Sequence, residues 1–362
     1  MKILLIVNNV FYQKKDGLYT YRAIGEFANE LIKLGNEVEM FQTKIINEDK
    51  FHDFNLKGTA IKVSAYKRSS IKLLTYFYIY IIGIYKVFKS DFIYIYYPTN
   101  YHFLAFFSII FRKKYGLNVR GQKGITTKLS KFLYKRAVTV FTVSPEFTTI
   151  VNKAGGSGIT QRPGISFNSN DIICDRQIVK KDNYRFLYLG RLDKQKGLIE
   201  LLTALQTLKL KGLNNFIFDI VGDGPDEYEI IEMSNLLNLQ DFVIFHGGIT
   251  ELDTLKRFYL NADLFILPTY HEGFPRTLYE AMIFGVPIIT TFVGGIASIM
   301  VNNYNCIEIK PKSAENIVSA IERVLLNYQD MDNLVKNASE TVKIIVDKDR
   351  LSHAVELNSV IN

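Results

Sequence analysis

A chain of 362 residues with 48% hydrophobic and 22% charged residues has the balance of a globular protein, which excludes a disordered or fibrous chain, and its length suits two domains. Cys174 and Cys306 are its only cysteines and we find no leader pattern before the first predicted strand, so we expect a reducing, cytoplasmic location. The longest apolar run, Leu73 to Tyr85, is shorter than the ~20 residues of a spanning helix, and we expect no transmembrane segment.

The net charge of +8 is divided unevenly along the chain. Residues 1–168 contain 25 Lys and Arg against 10 Asp and Glu, which gives +15, whereas residues 169–362 contain 19 against 26, which gives −7. A difference of this size predicts that the two halves have different partners.

In the first half, short apolar runs that predict strands alternate with apolar residues at helical spacing. Residues 2–7 predict a strand, residues 8–18 a polar loop with the turn pair Asp16-Gly17, and residues 19–34 a helix that ends before Gly35. Further strands are predicted at residues 38–41, 61–65, 92–97, 117–120 and 138–143, and further helices near residues 71–88, 101–114, 125–136 and 145–153. This alternation predicts a parallel sheet covered by helices.

The same pattern begins again in the second half. Strands are predicted at residues 185–189, 216–221, 243–245, 264–267 and 286–290, and helices near residues 198–211, 226–237, 251–261, 277–284 and 314–327. The polar stretch 163–184, with Pro163-Gly164, is the predicted boundary. We therefore expect an α/β protein of two doubly wound, Rossmann-like domains, residues 1–168 and 169–345, facing across a cleft, with ligands beyond the carboxyl ends of the strands.

The segment after the first strand of the second domain has two cations beside a predicted helix. It runs from Gly190 to Gly197 and contains Arg191 and Lys196. The N–H groups and dipole at a helix amino end favour anions, and Arg can hold phosphate oxygens with two hydrogen bonds. This segment predicts a diphosphate site, and the alternative is a solvated loop.

Val221-Gly222-Asp223-Gly224-Pro225 repeats this arrangement after the next strand. Glu227 stands where the dinucleotide-binding fingerprint has its third glycine. The motif by itself is therefore a weak indicator of nucleotide binding.

Two carboxylates eight residues apart follow the strand predicted at residues 264–267. Glu272 falls on the loop, Pro275 suits the first turn of the next helix, and Glu280 falls inside that helix. Each glutamate alone would be an ordinary acidic residue, on a loop or on a solvent-facing helix surface. Together, and with Gly294-Gly295 after the next strand, they predict a site for a polyhydroxylated ligand at the helix entrance.

These segments resemble the retaining glycosyltransferases of family 4, the GT-B "group 1" set. The resemblance is dense over residues 185–295 and is carried by Gly-Arg-Leu-x-x-x-Lys-Gly, Val-Gly-Asp-Gly-Pro and the Glu-x7-Glu segment that ends in Glu280-Ala281-Met282-x-x-Gly285-Val286-Pro287. It implies the GT-B fold and transfer of a sugar, with retention, from a nucleoside diphosphate sugar to an acceptor hydroxyl. It favours UDP-sugars and implies no cofactor.

The resemblance also implies roles for single residues. Those matching Arg191 and Lys196 bind the donor diphosphate, the one matching Glu272 faces the hydroxyls of the transferred sugar, and the one matching Glu280 holds the ribose. Residues 346–362 would be the last helix of the family, which returns to the first domain. The other donor-binding positions it implies are Gly17, in a glycine loop over the phosphates, and Gly190, Gly222, Gly273, Phe274, Pro275 and Thr277.

Two positions depart from the family pattern. Many relatives have a histidine after the strand that here ends Val119-Arg120-Gly121, and many have a glutamate where Ser298 follows the paired glycines. His102 is the nearest candidate for a polar acceptor-side role, together with Arg120. The alternative for His102 is a simple surface or core histidine.

We expect no metal site. Asp330-x-Asp332 and Asp347-x-Asp349 have the spacing used by metal-dependent transferases of another fold, but their polar helical context favours solvated helix faces. The two cations of the diphosphate loop and the helix dipoles can supply the positive charge that a metal would provide.

Two other functions stay open. A nucleoside-diphosphate-sugar epimerase of GT-B-like architecture would need acid and base groups on the sugar but no acceptor site. A nucleic-acid-binding protein is suggested by the basic first half, but the sequence lacks the aromatic RNA motifs and recognition helices of such proteins. We expect no nucleic acid partner.

The basic first half predicts docking on an anionic membrane surface. Residues 51–168 contain 18 basic and 3 acidic residues, among them Lys128, Lys131 and Lys135, and several flank aromatic-rich apolar stretches such as residues 73–85 and 101–111. Each basic residue near an anionic bilayer is worth ~1 kcal/mol. The alternative is that the apolar stretches are core faces of helices. A polyprenyl-diphosphate-linked glycan would suit both features, which predicts capsule, O-antigen or other cell-surface polysaccharide synthesis at the inner face of the cytoplasmic membrane.

Overall fold

The computed structural model describes residues 1–46, 53–121, 124–161, 163–346 and 351–362. The chain divides into two units, the first formed by residues 1–162 with residues 351–362 and the second by residues 163–350. Each unit is built around a mainly parallel sheet with helices on both faces.

The strands of the first unit are β1 (Lys2–Ile6), β2 (Phe11–Gln13), β3 (Leu18–Thr20), β4 (Glu37–Ile46), β5 (Phe54–Asn55), β6 (Lys62–Lys67), β7 (Phe92–Tyr97), β8 (Lys114–Val119), β9 (Thr139–Thr142) and β10 (Gly158–Thr160). They form one sheet in the order β10-β9-β8-β7-β1-β4-β2-β3-β5, with β6 also paired to β4. The central strands pair in parallel, and only β2 with β3 and β3 with β5 are antiparallel within the described residues.

The helices of the first unit cover the two faces of this sheet. They are α1 (Arg22–Lys33), α2 (Lys72–Lys89), α3 (Leu104–Ile110), α4 (Lys128–Arg136) and α5 (Pro145–Lys153). Leu4 and Ile6 of β1 share a core with α2, α3, α4 and α5, whereas Ile3 and Leu5 share a core with α1. The strand is apolar from its second residue onward because its side chains alternate between two buried faces.

The polar loop predicted at residues 8–18 contains a hairpin instead. Phe11 is fully buried, β2 and β3 pair antiparallel, and the N–H of Lys14 donates to the carbonyl of Gly17 at 2.9 Å in the turn. Because residues 18–20 belong to the sheet, the first helix begins at Arg22 and not at Tyr19. A single buried aromatic in a polar stretch was too weak a pattern to predict this hairpin.

The helix predicted at residues 101–114 is also shorter, because α3 spans only Leu104–Ile110. Arg112 has a left-handed backbone, with φ of 54°, and the N–H of Lys113 donates to the carbonyl of Ser108 at 2.8 Å. This turn ends the helix and lets β8 begin at Lys114, three residues before the predicted strand.

The strands of the second unit are β11 (Tyr184–Leu189), β12 (Phe216–Val221), β13 (Val243–Phe245), β14 (Leu264–Leu267), β15 (Ile288–Thr291) and β16 (Ile307–Ile309). They form a six-stranded parallel sheet in the order β13-β12-β11-β14-β15-β16. The helices are α6 (Leu198–Leu210), α7 (Glu227–Leu236), α8 (Leu252–Asn261), α9 (Arg276–Ile283), α10 (Ala314–Leu326) and α11 (Met331–Ile345). The sequence patterns did not predict β10, β16 or α11.

The last helix, α12 (His353–Ile361), packs on the first unit. Ala354, Leu357 and Ile361 are buried in the same core as α1. His353 is half-buried, and its Nε2 lies 2.6 Å from the hydroxyl of Tyr94. The end of the chain therefore completes the sheet face that α1 covers.

The boundary between the units lies six residues before the predicted one. Phe167 is buried in the core of the second unit and Ile165 packs against that core, so the polar stretch after residue 163 is anchored there. At the other end, Val346 is buried in the core of the second unit, so the return to the first unit starts later than the predicted residue 346.

None of the helices in the described part of the chain combines the length and the hydrophobicity needed to cross a bilayer.

Candidate functional site

The carboxyl ends of β11 and β14 lie side by side at the centre of the second sheet. From β11 the chain continues to β12 on one side, and from β14 it continues to β15 on the other. Doubly wound sheets bind ligands in the crevice where the strand order reverses in this way. The loops that follow these two strands are Gly190–Gly197 and Pro268–Pro275, and they contain most of the residues predicted for the donor site.

Glycines allow the loops after β11 and β12 to touch backbone to backbone. A Cβ atom on Gly222, whose φ is 141°, would overlap the carbonyl oxygen of Gly190, and one on Gly224 would overlap that of Leu192. The N–H of Leu192 donates to the carbonyl of Asp223 at 2.8 Å, which closes the contact. The two glycine motifs of the sequence thus form one interlocked surface at neighbouring strand ends.

The loop after β14 is fixed against the same turn. Gly197 has φ of 71°, and a Cβ atom there would overlap the carbonyl oxygen of Pro268. The N–H of Tyr270 donates to the carbonyl of Gln195 at 2.7 Å, and the buried Thr269 hydroxyl donates to the same carbonyl at 3.2 Å. Gly197, in this left-handed conformation, is also the residue just before α6.

Lys196 and Glu272 meet between these two loops. The Nζ of Lys196 donates to Oε1 of Glu272, and both side chains are 17% exposed. Lys196 ends a short 3-10 turn whose first residues are fixed by Asp193, which accepts from the N–H of Gln195 at 2.8 Å. The structure thus joins two of the predicted catalytic residues directly.

Arg191 is exposed on the same loop. Within the described ranges its guanidinium has no hydrogen bond or ion pair, while its carbonyl accepts from the hydroxyl of the buried Tyr188 at 2.8 Å. Burial, followed by the charges of Glu272 and Asp193, raises the pKa of Tyr188 well above its ordinary value. Tyr188 is therefore a neutral hydrogen-bond donor that holds the turn from which Arg191 projects.

Glu280 is buried inside α9, so it does not face solvent as an isolated helical glutamate would. Its Oε2 accepts a hydrogen bond of 2.8 Å from the hydroxyl of Tyr259 in α8. Burial raises the pKa of the Glu280 carboxyl, and the Tyr259 hydrogen bond and the Arg276 charge oppose that rise. A carboxylate of this kind has a strong need for further hydrogen-bond donors.

The amino ends of α6 and α9 are open. Gly197 and Pro275 are the residues just before α6 and α9, and among the residues that the structure describes no side chain caps the first N–H groups of either helix. Pro275 is therefore the residue before the helix and not in its first turn, because α9 starts at Arg276. Such helix ends attract negatively charged or hydroxyl-bearing ligands.

The remaining residues of the predicted donor segment shape the start of α9. The carbonyl of Gly273 accepts from the N–H of Gly295 at 2.8 Å, which ties the loops after β14 and β15 together. Phe274 is buried with its ring 4.2 Å from that of Tyr279, and Thr277 is the second residue of the helix. Ser298, at the position where relatives have glutamate, donates from its hydroxyl to the carbonyl of Gly295 at 2.6 Å.

Three predicted residues belong to the first unit. Gly17 lies in the turn of the β2–β3 hairpin, where its carbonyl also accepts from the side chain of Gln13 at 3.1 Å. Arg120 is exposed at the carboxyl end of β8, 5.9 Å from the ring of Tyr96. His102 is half-buried, and its Nδ1–H donates to the carbonyl of Thr99 at 2.5 Å, which leaves Nε2 as its free ring nitrogen.

The part of the chain that the structure describes contains no group of three or more metal-ligating side chains. Asp332 pairs with Lys336 on the surface of α11 at 2.7 Å, and Asp330 lies just before that helix. Asp347 and Asp349 lie outside the described residues.

Sequence patterns missed Tyr188 and Tyr259, which position predicted site residues from inside the core. Tyr259 lies 21 residues before Glu280 and on another helix, so no local spacing indicates the contact. A buried tyrosine in an amphipathic helix is ordinarily interpreted as core.

Residues 171–341 match the sequence profile of the family described as Glycosyl transferases group 1. An uncharacterized glycosyltransferase of Methanocaldococcus jannaschii is 31% identical over 164 residues, which cover 45% of this chain and 41% of that protein. The capsular polysaccharide biosynthesis glycosyltransferase CapM of Staphylococcus aureus is 25% identical over 215 residues, 59% of this chain and 56% of CapM. The chain thus spans about half the length of these relatives.

The crystal structure of Anabaena Alr3699/HepE in complex with UDP is similar over 100% of this chain and 98% of that one, with a TM-score of 0.69 and 19% identity. This likeness identifies the fold as GT-B, an α/β architecture of two Rossmann-like domains, as the sequence predicted. The profile match lies within the second unit, the one that contains the Lys196–Glu272 pair.

Proposed function

We propose that the chain is a glycosyltransferase that moves a sugar, with retention, from a nucleoside diphosphate sugar to an acceptor hydroxyl. The observation that carries this proposal is the Lys196–Glu272 pair, which lies where the strand order of the second sheet reverses. Residues 171–341, which include this sheet, match a glycosyltransferase profile. A UDP-sugar is the favoured donor, which agrees with the UDP in complex with the Anabaena protein.

Arg191 and Lys196 would hold the donor diphosphate, together with the open amino end of α6. Negative charge grows on the departing diphosphate as the sugar becomes oxocarbenium-like. Fixed cations at that oxygen therefore stabilise the transition state more than the ground state. With two cations and a helix end available, the mechanism requires no metal and no cofactor.

The Lys196–Glu272 pair gives the two residues a role before the donor binds. Each neutralises the other in a partly buried place, where an unpaired charge would be costly. The diphosphate would take Lys196 as its counter-charge, which releases Glu272 to accept hydrogen bonds from the hydroxyls of the transferred sugar. Binding of the diphosphate and placement of the sugar are then coupled.

Glu280 would hold the ribose. Its second carboxylate oxygen can accept from ribose hydroxyls, and the Tyr259 hydroxyl keeps the side chain in one orientation. Burial raises the pKa of Glu280. Hydroxyl donors favour the ionised carboxylate, so a bound nucleoside would lower that pKa again.

The acceptor side is assigned to the first unit. His102 and Arg120 follow β7 and β8 at their carboxyl ends, and Gly17 would contribute its glycine turn to phosphate binding. The acceptor that we propose is a polyprenyl-diphosphate-linked glycan in cell-surface polysaccharide synthesis, in keeping with the capsular polysaccharide biosynthesis for which CapM is named. The protein would then work as a peripheral protein at the inner face of the cytoplasmic membrane.

Thermal shift with a panel of nucleotides and sugar nucleotides tests the donor half of this proposal. A ligand at 100 times its Kd should stabilise the protein by about 2.7 kcal/mol. We expect nucleoside diphosphates and their sugar derivatives to raise the melting temperature, and UDP compounds to raise it most. The absence of a shift with every nucleotide would contradict the proposal.

A further inference from the structure

Helix α2 has one face in the core and an apolar face in solvent. Thr75, Ile79, Gly83 and Val87 are buried against the sheet side. The opposite face runs over the whole helix at spacings of three and four residues, and its exposed members are Leu73, Leu74, Phe77, Ile81, Tyr85 and Phe88. The sequence left open whether the apolar residues 73–85 all face the core. Only those on one side of α2 do.

Polar contacts fix this orientation of the helix. The Nζ of Lys86 donates to Oε1 of the buried Glu39 in β4 at 2.5 Å, and the hydroxyl of Tyr80 donates to the carbonyl of Asn100 at 2.8 Å. Lys86 points toward the sheet, so the helix cannot turn its apolar face inward without leaving the buried Glu39 with the hydroxyl of Ser64 but without a counter-charge.

The apolar surface continues onto α3 and α4, which share the core beneath α2. The ring of Phe88 lies 5.5 Å from that of Phe111, at the end of α3, and the ring of Phe106 in α3 lies 5.4 Å from that of Phe132 in α4. We call the exposed side of these three helices the α2–α4 face.

Basic residues surround the α2–α4 face and almost no acidic residue accompanies them. Residues 62–145 contain fifteen Lys and Arg and a single acidic residue, Asp91. The guanidinium of Arg136 lies 3.9 Å from the ring of Phe132. The exposed cations of the three helices and of the turn after α3 are Lys72, Lys89, Arg112, Lys128, Lys131, Lys135 and Arg136.

We propose that the α2–α4 face docks on an anionic lipid bilayer, with α2 lying in the interface. The outer side of α2 offers apolar and aromatic groups between flanking cations, which suits acyl chains and anionic head groups. A protein partner would need polar groups within the contact to pair with its own, and this side of α2 supplies only the hydroxyl of Tyr85. Docking itself is independent of the proposed transfer activity. Only its purpose, access to a lipid-linked acceptor, rests on that function.

Sedimentation of the full chain with lipid vesicles tests this proposal. The vesicles contain phosphatidylcholine alone, or phosphatidylcholine and phosphatidylglycerol in equal parts. The test variant combines Leu73→Gln, Phe77→Gln and Ile81→Gln, whose side chains are 77%, 67% and 55% exposed. The matched control combines Leu210→Gln, Leu236→Gln and Leu326→Gln in the second unit, which are 80%, 75% and 78% exposed.

The wild type and the control variant should bind the anionic vesicles equally, and binding should weaken as salt is raised and with phosphatidylcholine alone. The test variant should bind at least about tenfold more weakly, because three apolar groups are lost from the interface. All three proteins should keep the nucleotide-induced thermal shift, so a failure of docking is distinguishable from a failure of the proposed function.

Three outcomes would overturn the proposal. In the first, the wild type does not bind anionic vesicles at low salt, and in the second, the test variant binds them as tightly as the control does. In the third outcome, size-exclusion chromatography finds a wild-type dimer that the test substitutions convert to a monomer, which would make the α2–α4 face an interface between two copies of the chain.

Discussion

Lys196 and Glu272 form an ion pair across the two central strand ends of the second sheet, although 76 residues separate them in the sequence. Two further contacts join the same loops, the close approach of Gly197 to Pro268 and the Tyr270–Gln195 hydrogen bond. The pair is therefore a product of the strand order, which brings the β11 and β14 loops together.

Replacing either cation of this loop should impair transfer. We expect Lys196→Ala and Arg191→Ala to lower turnover by roughly 10²–10³-fold, by analogy with loss of one preorganised donor to a developing anion. Lys194→Ala is the control, because Lys194 is on the same loop and its ammonium group pairs with Glu229 at the surface. Steady-state turnover and the melting temperature of each variant are the measurements. Wild-type turnover in Lys196→Ala would remove this residue from the mechanism.

The two glutamates should differ in their effect on bare nucleotide. Glu280→Ala should weaken binding of the nucleoside diphosphate, and Tyr259→Phe should weaken it less, because the carboxylate stays but loses one fixed partner. Glu272→Ala should not weaken that binding, because the diphosphate displaces Glu272 from Lys196, but it should lower turnover. Isothermal titration calorimetry with UDP measures the first effect, and equal losses in Glu272→Ala and Glu280→Ala would show that the assignment is wrong.

The sequence patterns predicted two Rossmann-like domains and the positions of the glycine-containing loops because both depend on short-range patterns, and the family resemblance added the GT-B fold. Apolar runs of strand length alternate with amphipathic helices, and glycines mark the turns where backbones touch, as at Gly222 and Gly197. Long-range contacts left no such pattern. Tyr259 reaches Glu280 from another helix, and the β2–β3 hairpin depends on Phe11 filling a core formed elsewhere in the chain.

The outer face of α2 shows the same limit in another way. A run of apolar residues with small gaps predicts a helix, but it does not indicate which sides will be covered. Which sides are covered depends on the neighbouring elements. Here Glu39 of β4 contacts one side of α2 and Phe111, at the end of α3, contacts another, and the remaining side is exposed.

Acid should destabilise the protein through His353. Burial, and after it the charge of Arg120, lowers the pKa of His353 from 6.5 to about 3. Between these two values the unfolded chain binds a proton that the folded chain does not, so stability is lost as the pH falls below 6.5. The loss from this group should reach about 2 kcal/mol between pH 7.5 and pH 5.

Urea unfolding at pH 7.5 and pH 5 measures this effect. His353→Gln should be less stable at pH 7.5, because the ring contact with Phe27 is lost, but its stability should fall less with pH than that of the wild type. His271→Gln, at an exposed position, should follow the wild type. Equal pH dependence in the wild type and His353→Gln would contradict the role of His353.

Arg176 should be a strong contributor to the stability of the second unit. Its guanidinium donates to the carbonyls of Tyr259 and Phe284 at 3.0 and 2.9 Å and to two more at the end of α8, so it satisfies the carboxyl ends of two helices. We expect Arg176→Ala to lower the free energy of unfolding by about 3 kcal/mol. Arg323→Ala, at an exposed position, should change it little, and a similar small change in Arg176→Ala would contradict this prediction.

Transfer of label from a sugar nucleotide to a lipid tests the central claim most directly. The protein is incubated with UDP-sugars radiolabelled in the sugar and with lipid extracts that contain polyprenyl-diphosphate-linked glycans, and lipid-soluble label and free UDP are both measured. We predict that label enters the lipid fraction in amounts equal to the UDP released, and that Lys196→Ala lowers both by roughly 10²–10³-fold. Conversion of the donor to another UDP-sugar, with no UDP released and no labelled lipid, would contradict the claim and identify an epimerase.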